Sequence, residues 1–277
     1  MMKHRLILIA LVFLILLTIV IFLPKISSRL SRPPKVNPSA KVAVTINPVT
    51  QKVEYSQDFT TVLVGDSMTA TLGNSDELRS YLTQYYPDKT FEFLNYGFGS
   101  TNILSVEKRL TETTFYERDF QPILNIDFDL ILIESFGNNP LSEFSLEEGL
   151  KKQTEALDKI VNLIKKSNPR APIIFVATLA PDARRYGEGK VNLSDEERKR
   201  WVADRTAYIK NHISYANSHN IPLINIYQDT LNSGEGTPEY IDNESHIHPS
   251  PKGVIFISKK IADFVYEYKI LENIKKS

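Results

Sequence analysis

Two residues far apart in the chain have the side chains needed to break an ester. Ser67 follows the apolar run Thr61-Val62-Leu63-Val64 in the turn Gly65-Asp66-Ser67-Met68, and His248 opens the segment His248-Pro249-Ser250-Pro251-Lys252-Gly253. A serine hydroxyl is a poor nucleophile at neutral pH, so a base must take its proton as it attacks. A serine at the mouth of a buried strand and a histidine far downstream supply that pair. The chain has no cysteine, which excludes a thiol nucleophile, thiolate metal ligands and disulfides.

These residues need a rigid frame, and the hydrophobic pattern supplies one. Apolar runs at 61–64, 91–94, 130–133, 173–177 and 221–226 have the length and continuity of parallel strands buried on both faces. Helices are expected between them. Ser145 with Glu148, and Ser194 with Glu197, have the spacing of capping boxes, and the second helix should run to about residue 218. A last helix after Gly253 carries the apolar stripe Ile255, Ile257, Ile261, Phe264 and Val265. Five β-α units predict an α/β fold, a three-layer α/β/α sandwich around a central parallel sheet of about five strands, flavodoxin-like, with right-handed crossovers. Functional groups in such sheets lie outside the carboxyl ends of the strands. Ser67, the turn at 95–100, residues 137–139 and the loop at 181–186 all fall there.

Four short blocks follow one another: Gly65-Asp66-Ser67, Asn95-Tyr96-Gly97-Phe98-Gly99, Gly137-Asn138-Asn139-Pro140 and His248-Pro249. In this order the chain resembles the SGNH (GDSL-type) hydrolase family over roughly residues 60–265. The resemblance implies an ester hydrolase with no cofactor and no metal. Ser67 would be the nucleophile and its backbone N–H the first oxyanion donor. His248 would be the base that takes and returns the serine proton. A backbone N–H of the second block, at Gly99 or Ser100, and an asparagine amide of the third would complete the oxyanion hole. The Gly-x-Asn spacing selects Asn139, whereas counting from the strand acid Glu134 selects Asn138.

Two positions depart from the family pattern. Ser100 stands five residues after Asn95, where the family usually has glycine. Ser245 stands three residues before His248, where the family places the aspartate that fixes the imidazole tautomer. Asp242 and Glu244 are close but out of register. Either one of them orients the ring, or the centre is a Ser-His dyad with a weakly oriented base. Simpler roles exist as well. Asp66 could cap a helix, Gly97 and Gly99 could let the second strand approach its neighbours, and His246 reads as a bystander.

The remaining chain is an appendage to this domain. Between residues 6 and 23 Thr18 is the only polar residue, and 18 residues at about 1.5 Å each reach roughly 27 Å, close to a bilayer's hydrocarbon thickness. No small-x-small cleavage site follows, so residues 1–25 are expected to be a retained transmembrane helix. Residues 26–58 read as a Pro-containing linker with a candidate edge strand at 42–46, and residues 59–277 as the hydrolase domain. The formal charge of zero is split unevenly. Residues 1–57 hold eight Lys/Arg against Glu54 alone, and the rest holds 25 basic and 32 acidic residues. The basic part suits anionic lipid headgroups, and the acidic domain argues against nucleic acid as a partner. A count of basic residues around the span favours a cytoplasmic domain. A tethered esterase working on envelope material argues for an extracytoplasmic one, which is the expectation adopted. The expected function is a single-pass membrane esterase for acyl or acetyl esters of an envelope glycan or a lipid. The alternative is a catalytically silent relative that binds a glycan or protein partner through the same cleft.

Overall fold

The computed structural model describes residues 58–274. The expected anchor at 1–25, the candidate edge strand at 42–46 and nearly all of the linker lie outside the described residues. Among the described residues no helix is long and apolar enough to cross a membrane.

Five parallel strands form the central sheet: β1 (Phe59–Gly65), β2 (Phe91–Gly97), β5 (Leu130–Glu134), β6 (Ile173–Ala177) and β7 (Leu223–Asn225), in the order β2-β1-β5-β6-β7. A short hairpin, β3 (Thr114–Tyr116) and β4 (Arg118–Phe120), precedes β5. The sheet's order is that of a flavodoxin-like doubly wound fold. Its topological switch point, where ligands bind, falls between β1 and β5.

Alternation along the strands explains the three layers. Val62 and Val64 on β1, with Ile131 and Ile133 on β5, face a core shared with α4 (Leu146–Ser167) and α5 (Asp195–Ser218). Leu63, Leu130 and Leu132 face the opposite core, against α2 (Asp76–Tyr85) and α7 (Pro251–Glu267). Each central strand is therefore apolar on both faces, as its sequence required.

The helix starts match the capping expectation in one case fully and in the other by half. Ser194 and Glu197 form the reciprocal capping box at α5. At α4 only the Ser145 side chain takes part, accepting from Glu148 N–H at 3.3 Å. Strand β2 runs three residues beyond the expected 91–94, because Asn95, Tyr96 and Gly97 keep pairing with Leu63, Val64 and Gly65. That register carries the second block alongside the first.

Candidate active site

The first block leaves β1 at Gly65 and turns at once into α1 (Ser67–Ala70). Asp66 caps this turn, its Oδ1 accepting from Met68 N–H at 2.8 Å, a contact worth about 1 kcal/mol. The capping role foreseen for Asp66 is thus real, and it holds Ser67 at the carboxyl end of the sheet. Gly97 on the neighbouring strand has to be glycine, since a Cβ there would stand 2.3 Å from Ala70 N. The second block therefore packs directly against the turn that carries Ser67.

Asp66 is fully buried and joins the first block to the third and to the strand acid Glu134. Its Oδ2 accepts from the Asn139 amide at 2.8 Å, and its own N–H points to Glu134 Oε2 at 3.4 Å. Glu134, also buried, accepts from the Ser135 hydroxyl at 2.7 Å and from Phe136 N–H at 3.0 Å. Burial pushes the Asp66 carboxyl up, while hydrogen bonds from Met68, Asn139 and Glu134 pull it back. Burial and the adjacent Asp66 push Glu134 well above the usual carboxylate range. Two carboxyls this close in a dry site share one proton. Burial and the Asp66 charge favour the proton on Glu134.

The two asparagines of the third block separate cleanly. Asn139 reaches Asp66 beside Ser67, and Asn138 turns away, accepting from the Tyr186 hydroxyl at 2.8 Å. Tyr186 Oη in turn accepts from Arg205 Nε at 2.7 Å. Asn138 is a buried structural contact between loops, and Asn139 is the amide at the candidate centre.

The second block presents two different backbone donors. A Cβ at Gly99 would lie 3.7 Å from Ser67 Cβ, so this segment borders the serine. Gly99 N–H donates to Tyr116 Oη at 2.9 Å. Ser100 N–H and Ser67 N–H have no hydrogen-bond partner among the described residues. Ser100 sits at φ 58°, the left-handed region in which glycine is the usual residue. Ser100 therefore holds a backbone shape that glycine would adopt without strain, at a cost of about 1 kcal/mol.

His248 lies on the loop before α7. Its backbone N–H donates to Asp242 Oδ2 at 2.9 Å, and its ring Nδ1 lies 3.2 Å from Ser245 Oγ. Neither expected acid touches the ring. Glu244 contributes only its backbone N–H, which donates to Asp242 Oδ1 at 2.8 Å. Asp242 reaches the histidine through the Ser245 hydroxyl, which donates to Asp242 Oδ2 at 2.7 Å. His248 is near enough to Asp66 to draw that carboxyl towards its ionised form. Among the described residues Ser67 Oγ makes no hydrogen bond to His248; such contacts commonly tighten only with substrate in place. His246 stands apart, 3.9 Å from Glu188.

Sequence reasoning missed the residue that ties the blocks together. Arg109, on α3 (Val106–Thr111), is wholly buried. Its Nη1 donates to Gly65 O at 2.7 Å and Tyr96 O at 2.8 Å, and its Nη2 to the hydroxyls of Thr101 and Ser105. The guanidinium also lies 4.4 Å from the centre of the Phe98 ring. Burial pushes it down to about 10, still charged at neutral pH, with Asp66 and Glu134 opposing the shift. An arginine between Val106 and Leu110, both buried, was the only signal. Tyr116 gave none.

Among the described residues no group of His, Cys, Asp or Glu is arranged to hold a metal.

The fold and the order of its blocks define a flavodoxin-like α/β/α sandwich of the SGNH-hydrolase type. The GDSL-like Lipase/Acylhydrolase family profile matches residues 63–254, and the chain belongs to that family. No functionally curated protein matches the sequence. Solved structures share the fold. The lipase/acylhydrolase from Enterococcus faecalis superposes with a TM-score of 0.55 at 19% identity, over 76% of this chain and 96% of that one. The acetyl xylan esterase AlAXEase gives 0.51 at 16% identity, over 73% and 97%. A GDSL-like lipase from Bacteroides thetaiotaomicron gives 0.50 at 13%, over 77% and 88%.

Proposed function

We propose that this chain is a serine ester hydrolase in which Ser67 attacks the ester carbonyl and His248 takes its proton. The observation that carries the reading is that Ser67 leaves β1 at the switch point of the sheet, with Asn139 bonded to the adjacent buried Asp66 and Gly99 bordering the serine. Ser67 N–H, Ser100 N–H and the second amide hydrogen of Asn139 would stabilise the oxyanion, each worth about 3–4 kcal/mol. His248 would then return the proton to the departing alcohol, and a water activated the same way would release the acid.

The substrate we favour is a glycan ester carrying a short acyl or acetyl group. A groove of about 880 Å³ runs along the outer edge of β2 and past Tyr116. Its walls include Glu92, Asn95, Tyr96, Tyr116, Arg118 and Gln121. Polar groups with aromatic rings suit sugar hydroxyls and sugar faces better than lipid tails. The apolar segment at 6–23 would tether the domain to a membrane, with the domain on the extracytoplasmic side. Ser245, in the family's aspartate position, favours a second reading: a silent relative that binds glycan in the same cleft.

The full chain in detergent, assayed with p-nitrophenyl esters from acetate to palmitate, tests the proposal. Turnover should be highest on acetate and fall with chain length. A preference for palmitate would move the substrate to lipids, and no hydrolysis of any ester would favour the silent relative.

A further inference from the structure

We infer that the Ser245 hydroxyl is a positioning group that fixes the His248 tautomer and links its ring to Asp242, standing in for the directly bonded acid. The inference rests on His248 being the base proposed above. Three oxygen atoms decide it: Asp242 Oδ1, Asp242 Oδ2 and Ser245 Oγ.

Asp242 accepts four hydrogen bonds. Oδ1 takes the N–H groups of Glu244 and Ser245 at 2.8 and 2.6 Å, and Oδ2 takes His248 N–H and the Ser245 hydroxyl at 2.9 and 2.7 Å. These bonds outweigh partial burial and hold its carboxyl down at about 2, so it is an anion and has no proton to give. The hydrogen between Asp242 and Ser245 must therefore belong to Ser245. Ser245 has only that one to donate. Towards His248 Nδ1, 3.2 Å away, its oxygen offers a lone pair. Its other lone pair receives Ile247 N–H at 3.3 Å.

Nδ1 must then carry the ring proton, which leaves Nε2 with the lone pair needed to take the Ser67 proton. No proton moves along the relay during attack. The Ser67 proton goes to Nε2, Nδ1–H stays pointed at Ser245, and the Ser245 hydrogen stays on its own oxygen. The imidazolium so formed faces the Asp242 charge across one polarised hydroxyl. Ser245 is buried, so water does not replace it.

Asp242 also holds the loop through three backbone N–H groups, so its role could be structural alone. Ser245→Ala separates the two, since it removes the hydroxyl and leaves those contacts. Ring ¹⁵N spectra of histidine-labelled full chain, with His248 assigned through His248→Gln, report which nitrogen carries hydrogen. The wild type should show Nδ1–H. Ser245→Ala should shift the population towards Nε2–H and lower kcat about 10–100-fold with KM within about twofold, while Ser245→Thr keeps the wild-type tautomer. Asp242→Asn should invert the tautomer, because its amide would donate to Ser245 and turn the hydroxyl towards Nδ1. An Nε2–H ring in the wild type, or an unchanged tautomer in Ser245→Ala, would overturn the relay. The spectra read the ring without any turnover, so loss of the Ser67 assignment, seen as undiminished hydrolysis by Ser67→Ala, is a separate result.

Discussion

The Tyr116 hydroxyl accepts the N–H of Gly99 at 2.9 Å, beside the candidate nucleophile. A backbone donor already engaged by a phenol does not also face an oxyanion. That leaves Ser100 N–H as the donor the proposed mechanism uses from this turn. Tyr116→Phe frees Gly99 N–H and should leave kcat within about threefold of wild type. An oxyanion donor is worth about 10²–10³ in rate. A rise of tenfold or more in steady-state kcat would show that Gly99 is a donor that Tyr116 obstructs.

Asn139 and Asn138 should fail in different ways. Asn139→Ala should lower kcat about 10²–10³-fold with KM within about threefold, the signature of a donor used in the transition state. Asn138→Ala removes the acceptor for the buried Tyr186 hydroxyl. It should cost about 1–3 kcal/mol of stability in denaturant titration and change kcat less than about fivefold. The reverse pattern would assign the amide to Asn138.

Glu134 should make the protein weaker at high pH. Its folded pKa is raised above the ordinary 4.5, so the native state binds the extra proton and stability is lost as pH rises above about 4.5. Each pH unit in that window costs about 1.4 kcal/mol. Glu134→Gln keeps a hydrogen to donate to Asp66 and has no proton to lose. Its Tm should fall behind or match the wild type near pH 4 and gain on it as pH rises above about 4.5. Parallel Tm curves for the two proteins would contradict a protonated Glu134.

The sheet was legible because each central strand is a short apolar run, and such runs leave few alternatives to burial on both faces. Ser67 and the third block were legible because their positions after β1 and β5 follow from strand ends. What failed to show was contact across long sequence separation. Arg109 lies 44 residues from the Gly65 carbonyl it holds, and nothing local to Val106 or Leu110 announces that partner. Tyr116 was equally silent, since β3 and β4 are three residues each and too short to leave a strand pattern. At Ser245 the sequence revealed the missing carboxylate but not its replacement. Asp242 lies three residues before Ser245, out of register for the ring, and only the folded loop shows the hydroxyl between them. The anchor expected at 1–25 rests on its apolar length and the missing cleavage site, both features of the sequence.

The central claim is that Ser67 is a nucleophile activated by His248. A fluorophosphonate reacts covalently with an activated serine, and peptide mass mapping of the labelled full chain locates the adduct. The account predicts one adduct on Ser67, absent in Ser67→Ala and formed at least about a hundredfold more slowly in His248→Ala. No adduct on Ser67, or labelling at the wild-type rate in His248→Ala, would contradict it.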